Sequence, residues 1–428
     1  MKETTVVCDS VCGISQDTIF NALNDSIADE RNTLKKILLI PPDMTRMHSG
    51  AGQITAMLYR LLKDTCTIDI LPALGTHEPM SDEEIAKFFG DGIPKSCFKV
   101  HNWRTSVQKI GEVPGSYVSS ISGGFFSESI TVEINCLLLD KSYDRVISIG
   151  QVVPHEVVGM ANYTKNLLVG CGGKDMIDKS HMLGAVFGME RIMGRDHSPV
   201  RDVFDYVEQH FLTNIPLSYV LTVTTEHGGR ARIHGLYIGR RRSLFEQAVS
   251  LSQKMNLTLV QKPIHKIVVY LDDAEFKSTW LGNKGIYRTR MAIEDGGELV
   301  ILAPGVSKFG EDVNNDALIR KYGYVGRDRV LEMSAQNEDL RGNLSVAAHL
   351  IHGSSDGRFS IAYAVKKLTR EEVEGAGFSF MDYDEAVKKY DPNKLRNGYN
   401  TLEDGEEIFY INNPALGLWI YKQLGAGF

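Results

Sequence analysis

Short apolar runs typical of buried strands alternate in the first half of this chain with segments of helical periodicity. Lys36–Ile40 is the clearest such run, and in residues 54–62, which follow it, apolar side chains recur at the spacing of one helix face. Residues 66–71 and 145–149 are further apolar runs, and an acidic helix start at residues 81–85 lies between them. Strands that alternate with helices indicate βαβ units and a mostly parallel sheet. The sequence therefore predicts an α/β fold.

The same alternation returns in the second half, after a polar, helical segment at residues 243–262. Residues 266–271 and 298–302 are its clearest strands. A chain of 428 residues also exceeds what one ordinary hydrophobic core supports. We therefore predict two α/β domains with mostly parallel sheets, over residues 1–263 and 264–428, with an active-site cleft between them.

Charge and composition exclude several classes of protein. The chain has 47 Lys and Arg against 54 Asp and Glu, a net charge of −7, so it has no basic surface for nucleic acid or an anionic membrane. Its first residues are polar and no apolar run approaches the ~20 residues of a membrane span, so neither a signal peptide nor a transmembrane helix is predicted. The six cysteines form no C-x-x-C pair, which indicates neither a zinc knuckle nor a disulfide framework. We expect a cytoplasmic protein with no nucleic-acid or membrane partner.

Polar residues follow each of the first three predicted strands, where open parallel sheets bind their ligands. Asp43 and Arg46 come after the first strand, and two interpretations are open: a site for an anionic group, or a helix N-cap beside a surface arginine. His77 comes after the second strand and His155 after the third. Because histidine titrates near neutral pH, both are candidate acid/base residues, although a structural loop histidine fits the same pattern.

The segment from His155 to His181 combines Lys165 with a glycine cluster at residues 170–173. Such glycines allow a bulky or phosphorylated ligand to approach the backbone closely. The cluster lacks the spacing and the Ser/Thr of a Walker loop, and the two histidines are too far apart in sequence for a standard zinc motif. Residue chemistry alone therefore indicates a loop-rich binding site without defining its ligand.

Taken in this order, these motifs resemble the lactate racemase family, whose members use a nickel-pincer nucleotide. The family pattern is a D-x-T-R turn after an early strand, followed by G-x-H, P-H, a lysine and a histidine at characteristic spacing, and in the second half a lysine ahead of a Gly-Gly turn. In this chain the matching residues are Asp43-Met44-Thr45-Arg46, Gly75-Thr76-His77, Pro154-His155, Lys165, His181, and Lys284 ahead of Gly296-Gly297.

The resemblance implies a racemase or epimerase that inverts C2 of a 2-hydroxy acid by reversible hydride transfer to the nickel-pincer nucleotide. It implies that Lys165 tethers the cofactor covalently and that His181 ligates nickel, with the remaining metal ligands supplied by the cofactor. Thr45, Gly172 and Gly173 are expected to complete the cofactor-binding site. The cofactor would carry out the hydride chemistry, and the protein would position it.

The resemblance also implies roles for the substrate-facing residues. His77 and His155 would stand on opposite sides of the substrate as the acid/base pair, since a histidine accepts or donates a proton near neutral pH. Arg46, with Lys284, would hold the substrate carboxylate or orient its hydroxyl. Asp43 would support Arg46 or a histidine. One histidine removes the hydroxyl proton while hydride leaves Cα, and return of the hydride to the other face of the planar 2-keto acid inverts the centre.

Departures from the lactate-type pattern argue for a different substrate. Residues 162–164 replace a small Ser-Gly-Gly run before Lys165, and Leu281 occupies the place of a glutamine. The side chains beside Lys284 are interpreted as the lining of a larger, more polar pocket, with solvent-facing arginines on a helix as the alternative: Trp280, Tyr287, Arg288 and Arg290. We therefore expect a longer polyhydroxy acid, such as a sugar acid, in place of lactate.

Two other functions are open on the same fold. One is a non-catalytic carrier of the nickel nucleotide, which needs Lys165 and His181 but no pair of bases. The other is a sugar-acid dehydratase or lyase. The expected partners are a small-molecule 2-hydroxy acid and the proteins that build the cofactor, and the sequence leaves the oligomeric state open.

Overall fold

The computed structural model describes residues 1–227 and 230–423, which form two compact units. The first unit comprises Met1–Ser180 and Met193–Asn256. The second comprises His181–Ile192 and the described chain from Leu257 onward.

The division lies slightly before the predicted boundary between residues 263 and 264, and the strand pairing explains why. A helix ends at Asn256, and Leu257–Val260 then forms a strand that pairs in parallel with Leu418–Tyr421 of the second unit. The prediction that residues 243–262 are helical throughout is therefore wrong for its last part. Pairing with a strand distant in sequence decides the conformation there, which local periodicity does not reveal.

The strands of the first unit are β1 (Thr4–Val7), β2 (Lys36–Ile40), β3 (Thr67–Ile70), β4 (Val107–Val113), β5 (Ile130–Asn135), β6 (Arg145–Gln151), β7 (Pro154–His155), β8 (Gly159–Met160), β9 (Leu217–His227) and β10 (Arg230–Gly239). Its helices are α1 (Gln16–Ile27), α2 (Ala51–Leu62), α3 (Asp82–Phe89), α4 (Gly115–Ser122), α5 (Thr164–Leu168), the first part of α6 (Lys174–Phe187), α8 (Pro199–Phe211) and α9 (Arg242–Asn256). The rest of α6 and the short helix α7 (Met189–Ile192) belong to the second unit. Short 3-10 turns cover Met44–Ser49, Lys95–Cys97 and Cys136–Leu139.

A six-stranded sheet organises the first unit, in the spatial order β1-β10-β9-β6-β2-β3. Strands β9, β6, β2 and β3 run parallel, whereas β10 is antiparallel to both of its neighbours. Strands β4 and β5 form a separate antiparallel pair. The predicted α/β fold with a mostly parallel sheet is confirmed for this unit.

Local sequence explains why these elements form. The strand predicted at Lys36–Ile40 is present at those residues, and its apolar side chains are fully buried. Helix α2 contributes Ile54 and Leu58 to the same hydrophobic core. Helix α3 begins after Ser81, whose side chain forms a capping box with that of Glu84. Each buried leucine or isoleucine contributes roughly 1.5–3 kcal/mol, so this core fixes the sheet whose edge carries the site.

The second unit is also α/β. Its strands are β11 (Leu257–Val260), β12 (Ile264–Tyr270), β13 (Ile293–Ala303), β14 (Ser360–Val365), β15 (Ser379–Asp382), β16 (Gly398–Thr401), β17 (Glu407–Ile411) and β18 (Leu418–Tyr421). Its further helices are α10 (Thr279–Gly282), α11 (Lys284–Thr289), α12 (Val313–Tyr322), α13 (Arg327–Gln336), α14 (Glu338–Arg341), α15 (Leu344–His352), α16 (Arg370–Gly375) and α17 (Tyr383–Lys389).

A second six-stranded sheet has the order β15-β14-β13-β12-β17-β16 and is parallel apart from the edge strand β16. Val268, Val300 and Leu302 lie in its core. The predicted mostly parallel sheet is therefore confirmed here as well.

Candidate active site

Three polar loops follow neighbouring strands of the first unit. Strand β2 lies between β6 and β3, and all three run parallel, so their carboxyl ends lie at one edge of the sheet. The loop after β2 carries Asp43 and Arg46, the loop after β3 carries His77, and β6 leads to His155. The fold therefore brings these predicted residues to the edge at which open α/β sheets bind ligands.

Hydrogen bonds tie these loops together. The amide N–H of Ala73 donates to the carbonyl oxygen of Pro41 at 2.8 Å, which joins the loops after β2 and β3. The side-chain amide of Asn166 donates to the carbonyl oxygen of Ile40 and to the hydroxyl of Ser148, both at 3.0 Å. Asn166 thus joins the end of β2 and the middle of β6 to helix α5.

Asp43 is buried and bonds to His77. Its Oδ2 lies 2.5 Å from Nδ1 of His77, and its Oδ1 accepts from the backbone N–H and the hydroxyl of Thr45 at 3.1 and 2.5 Å. Burial opposes ionisation of the carboxyl, but the hydrogen bond and charge of His77, the charge of Arg46 and the Thr45 bond together lower its pKa to about 2. An ionised carboxylate only accepts hydrogen bonds, so Nδ1 of His77 carries a proton. In the neutral ring Nε2 is then a proton acceptor, which is the state of a general base.

Asp43 also satisfies the alternative interpretation as an N-cap. It caps the 3-10 turn Met44–Ser49 through the oxygen that binds Thr45, while the other oxygen binds His77. The turn ends at Gly50, whose φ of 71° leads into α2. A Cβ at Gly50 would overlap the side chain of Ile233, so glycine is required there.

The lowered pKa of Asp43 predicts an acid-sensitive contribution to stability. The folded pKa of about 2 lies below the ordinary value of 3.8, so ionised Asp43 stabilises the fold above about pH 4, and this contribution is lost as the pH falls to about 2. The shift corresponds to about 2 kcal/mol. In urea titrations over this pH range, the difference in free energy of unfolding between wild type and Asp43→Asn is expected to shrink by that amount. A difference that stays constant would contradict the pairing.

His155 has a different hydrogen-bond partner. Its side chain is 10% exposed, and the backbone N–H of Val157 donates to its Nδ1 at 3.1 Å. An amide N–H only donates, so Nδ1 is the acceptor and the proton of the neutral ring is on Nε2. The two neutral rings are thus opposite tautomers, since Nε2 of His77 carries a lone pair whereas Nε2 of His155 carries the proton.

Lys165, on α5, shares this electrostatic environment. Burial lowers the pKa of its amine to about 8, the positive charges of Arg46 and Arg201 act in the same direction, and Glu156 and Asp43 oppose them. The interactions with Arg46 and Asp43 place the amine near the loop after β2. A lysine with a lowered pKa is more often unprotonated at neutral pH and is therefore a better nucleophile.

Two further predicted residues, Lys284 and His181, lie in the second unit. Lys284 is the first residue of α11, and its Nζ lies 5.4 Å from the centre of the Phe276 ring, which is within cation–π range. His181 lies in the part of α6 that belongs to this unit. Both side chains are partly exposed, so neither is enclosed in a core.

The interpretation of Arg288 and Arg290 as solvent-facing side chains is wrong, since each is 3% exposed. Nε of Arg290 lies 2.6 Å from Oε1 of Glu190, and its Nη1 donates to the carbonyl oxygen of Ser354 at 3.0 Å. A buried guanidinium requires such partners. The charge of Arg290 is therefore compensated within the unit.

Aromatic residues beside Lys284 also bond within the unit. The rings of Trp280 and His349 stack with their centres 4.1 Å apart, and the hydroxyl of Tyr287 lies 3.1 Å from Nδ1 of His349. On the other side of the imidazole, the hydroxyl of Tyr324 lies 2.9 Å from Nε2. These contacts explain Trp280 and Tyr287 by packing, and the larger polar pocket stays a prediction.

Residues 15–192 match the lactate racemase N-terminal domain. These residues, which make up less than half of the chain, are therefore similar to that domain of the lactate racemase family. The matched residues include each predicted site residue except Lys284, and the family predicted from the motifs is confirmed.

Two solved structures resemble this chain over most of its length. A crystal structure of a protein from Thermotoga maritima has a TM-score of 0.81 at 22% sequence identity and covers 95% of this chain and 98% of its own. The lactate racemase apoprotein from Thermoanaerobacterium thermosaccharolyticum has a TM-score of 0.68 at 17% identity and covers 94% of this chain and 92% of its own. At these identities the similarity confirms the α/β fold. No curated protein sequence matches the chain.

Within the lactate racemase N-terminal domain, the glycine cluster has a packing role. A Cβ at Gly172 would overlap the carbonyl oxygen of Leu168, and a Cβ at Gly173 would overlap the side chain of Glu133. Both glycines are buried. Packing alone therefore requires glycine at both positions, whether or not a ligand binds there. Cofactor binding by Gly172, Gly173 and Thr45 stays a prediction.

Two residues that organise this part of the first unit were not predicted from the sequence. Asn166 bonds to strands β2 and β6, and Arg201, which is fully buried in α8, donates to the hydroxyl of Thr164 at 2.9 Å. Neither residue belongs to a motif of the family pattern. Their partners lie far along the chain, so only the tertiary structure reveals them.

Among residues 1–227 and 230–423, no group of three or more His, Cys, Asp or Glu side chains is placed to hold a metal ion. In the same part of the chain, no helix is both long and apolar enough to cross a bilayer.

Proposed function

We propose that this chain is a racemase or epimerase that inverts C2 of a 2-hydroxy acid by reversible hydride transfer to a nickel-pincer nucleotide. The observation that supports the proposal is a pair of histidines at one sheet edge whose neutral rings are opposite tautomers, with the lone pair on Nε2 of His77 and the proton on Nε2 of His155. A carrier of the cofactor needs no such pair. A reaction that removes a hydroxyl proton and returns one after inversion needs both an acid and a base.

Lys165 and His181 are the residues proposed to hold the cofactor, Lys165 by covalent attachment through its amine and His181 as a nickel ligand. The chemistry of Lys165 fits this role, since burial and neighbouring positive charges lower its pKa to about 8 and favour the nucleophilic amine. When bound, the cofactor supplies a centre that accepts a hydride from the substrate and returns it.

The two histidines move the protons of the proposed reaction. His77 accepts the hydroxyl proton of one stereoisomer through Nε2 as hydride leaves Cα. Asp43 stays ionised and stabilises the imidazolium that forms, because it already accepts from Nδ1. The planar 2-keto acid would receive hydride on its other face while His155, as the imidazolium, would donate its Nε2 proton to the carbonyl oxygen. The other stereoisomer would react from the reverse state, with His155 neutral as the base and His77 protonated as the acid, and exchange with water would restore the starting state.

Arg46 and Lys284 are proposed to hold the substrate carboxylate or to orient its hydroxyl. Nη1 of Arg46 donates to the hydroxyl of Thr45 at 3.0 Å, and that hydroxyl bonds to Asp43. These bonds hold the guanidinium beside the Asp43–His77 pair. Its planar fork is suited to a carboxylate.

The proposed substrate is a longer polyhydroxy acid, such as a sugar acid. The support comes from the departures from the lactate-type pattern, which are residues 162–164 before Lys165 and Leu281 in place of a glutamine. Arg290 adds nothing to this argument, because its charge is compensated by Glu190.

The first experiment uses protein co-expressed with the enzymes that build the cofactor, which are its proposed partners. Intact mass, nickel content and peptide mapping at Lys165 measure attachment. A panel of 2-hydroxy acids, from lactate to longer aldonic acids, is then followed by chiral chromatography. We expect an adduct on Lys165, stoichiometric nickel and inversion at C2 of a longer acid.

Other outcomes assign other functions. An unmodified Lys165 without nickel, while a lactate racemase control loads normally, would overturn the proposal. A loaded protein that converts no acid of the panel would indicate a carrier, and a dehydrated 2-keto product would indicate a dehydratase or lyase. Inversion of lactate alone would refute the sugar-acid part.

A further inference from the structure

The backbone immediately before Lys165 is strained. Asn162 and Tyr163 have φ angles of 65° and 57°, and they are two of the three non-glycine residues with positive φ in the described part of the chain. Tyr163 combines its φ with a ψ of −133°. Such conformations are unfavourable for residues that have a Cβ, and they persist only where surrounding contacts hold them.

Arg201 supplies such contacts from helix α8. Its Nη1 donates to the hydroxyl of Thr164 at 2.9 Å, and its Nη2 donates to the carbonyl oxygens of Met160 at 2.7 Å and Asn162 at 3.4 Å. The side chain is fully buried. One guanidinium thus binds three points of the segment that leads into Lys165.

The side chain of Tyr163 is held separately. Its ring stacks on Phe245 at 5.1 Å and lies 4.3 Å from the ring of Tyr219, centre to centre, and its hydroxyl donates to the carbonyl oxygen of Arg240 at 3.2 Å. The guanidinium of Arg201 lies 4.6 Å from the centre of the same Phe245 ring. Arg201 and the aromatic stack therefore form one continuous support for the strained segment.

Burial of a guanidinium is unfavourable unless bonds and an opposite charge compensate it. Burial lowers the pKa of Arg201 to about 10, and the charge of Asp205 opposes that shift, so Arg201 stays positive at neutral pH. Three of its bonds serve the segment before Lys165, and its charge acts on the Lys165 amine. A neutral side chain at this position would avoid the free-energy cost of burying a charge. We therefore infer that both the charge and the hydrogen bonds of Arg201 act on the segment before Lys165.

We propose that Arg201 is a positioning residue: it holds residues 160–164 in the strained conformation that keeps the Lys165 amine in place and reactive. The inference rests on the proposed function only for the identity of the group that Lys165 binds. The reactivity of Lys165 itself is measurable on the protein without cofactor.

The test labels the protein without cofactor by a short pulse of an amine-acetylating reagent across neutral and alkaline pH. Peptide mass mapping gives the half-labelling pH of Lys165, with the exposed Lys87 as the internal reference. Arg201→Lys keeps a positive charge but lacks the guanidinium fork. It is expected to raise the half-labelling pH by roughly one unit, because the released amine becomes better hydrated. An unchanged profile would refute the role of Arg201.

Arg242→Lys is the matched control. Arg242 bonds to the carboxylate of Asp205 at 2.8 Å and to the carbonyl oxygen of Asp196 at 3.0 Å, in the same buried charge network. Its substitution is expected to leave the Lys165 profile at that of the wild type. An equal shift in both variants would show a general loosening of the network and would also refute a specific role of Arg201.

Thr164→Val keeps Arg201 and the shape of residue 164 but removes the hydroxyl that accepts from Nη1 of Arg201. This variant tests the role of Arg201 if Arg201→Lys does not fold. A smaller shift in the same direction, with faster hydrogen exchange in peptides that cover residues 160–165, is expected. No change in either measurement would count against the proposal. If Arg201→Lys shifts the labelling profile of Lys165 but the co-expressed wild type never gains the adduct, the proposed cofactor is refuted and the role of Arg201 is kept. If the wild type loads the cofactor normally but Arg201→Lys shifts no profile, the role of Arg201 is refuted and the proposed cofactor is kept.

Discussion

Replacing Lys165 by arginine is expected to give a protein that carries neither the nucleotide nor nickel and has no racemase activity. Arginine keeps the positive charge, but its guanidinium stays protonated at neutral pH and offers no free amine. Lys165 has a pKa of about 8, so its unprotonated fraction at neutral pH is roughly a few hundred times that of an ordinary lysine. Without attachment the hydride acceptor is missing, so the loss of turnover is complete. Intact mass, nickel analysis and turnover of the co-expressed variant measure the effect.

Lys174→Arg is the matched control. Lys174 is an exposed lysine at the start of α6, ion-paired with Asp178. This variant is expected to load cofactor and turn over substrate like the wild type. An adduct on the Lys165→Arg protein, mapped to another lysine, would show that Lys165 is not the attachment point.

The strands at the site were predictable because their information is local. Lys36–Ile40 is an unbroken apolar run, and a strand buried on both faces of a parallel sheet needs such a run. The helix start at Ser81 was equally local, because its capping box lies within four residues. The strand Leu257–Val260 was not predictable, because its partner Leu418–Tyr421 lies at the far end of the chain.

The candidate site was also only partly predictable from local sequence. The motifs identified Asp43, His77 and His155, but they left open whether Asp43 supports an arginine or a histidine. The 2.5 Å approach of Asp43 to His77 resolves this choice, and the Val157 amide sets the opposite state of His155. A sequence motif records the residue type, whereas the proton position depends on a partner that only the folded chain provides.

The solvent-facing alternative for Arg290 was wrong for a related reason. A short helix with arginines beside a lysine is typical of a solvated face, since arginine is seldom fully buried. Here Glu190, which is remote in sequence, compensates the charge, and the carbonyl oxygen of Ser354 accepts a further hydrogen bond. The sequence offers no local sign of either partner.

Asp43→Asn is expected to reduce turnover by about 10³–10⁴-fold while the Lys165 adduct is retained. The asparagine oxygen still accepts from Thr45, so the turn keeps its cap. Its amide, however, donates to Nδ1 of His77 and forces the ring proton onto Nε2, where a base needs a lone pair. The measurement is the rate of inversion per nickel-loaded chain, followed by chiral chromatography.

Glu294→Gln is the matched control, since it removes the carboxylate of another histidine pair, in which Oε1 of Glu294 lies 2.6 Å from Nδ1 of the exposed His265. It is expected to leave turnover unchanged, whereas full activity of Asp43→Asn would show that His77 is not the base.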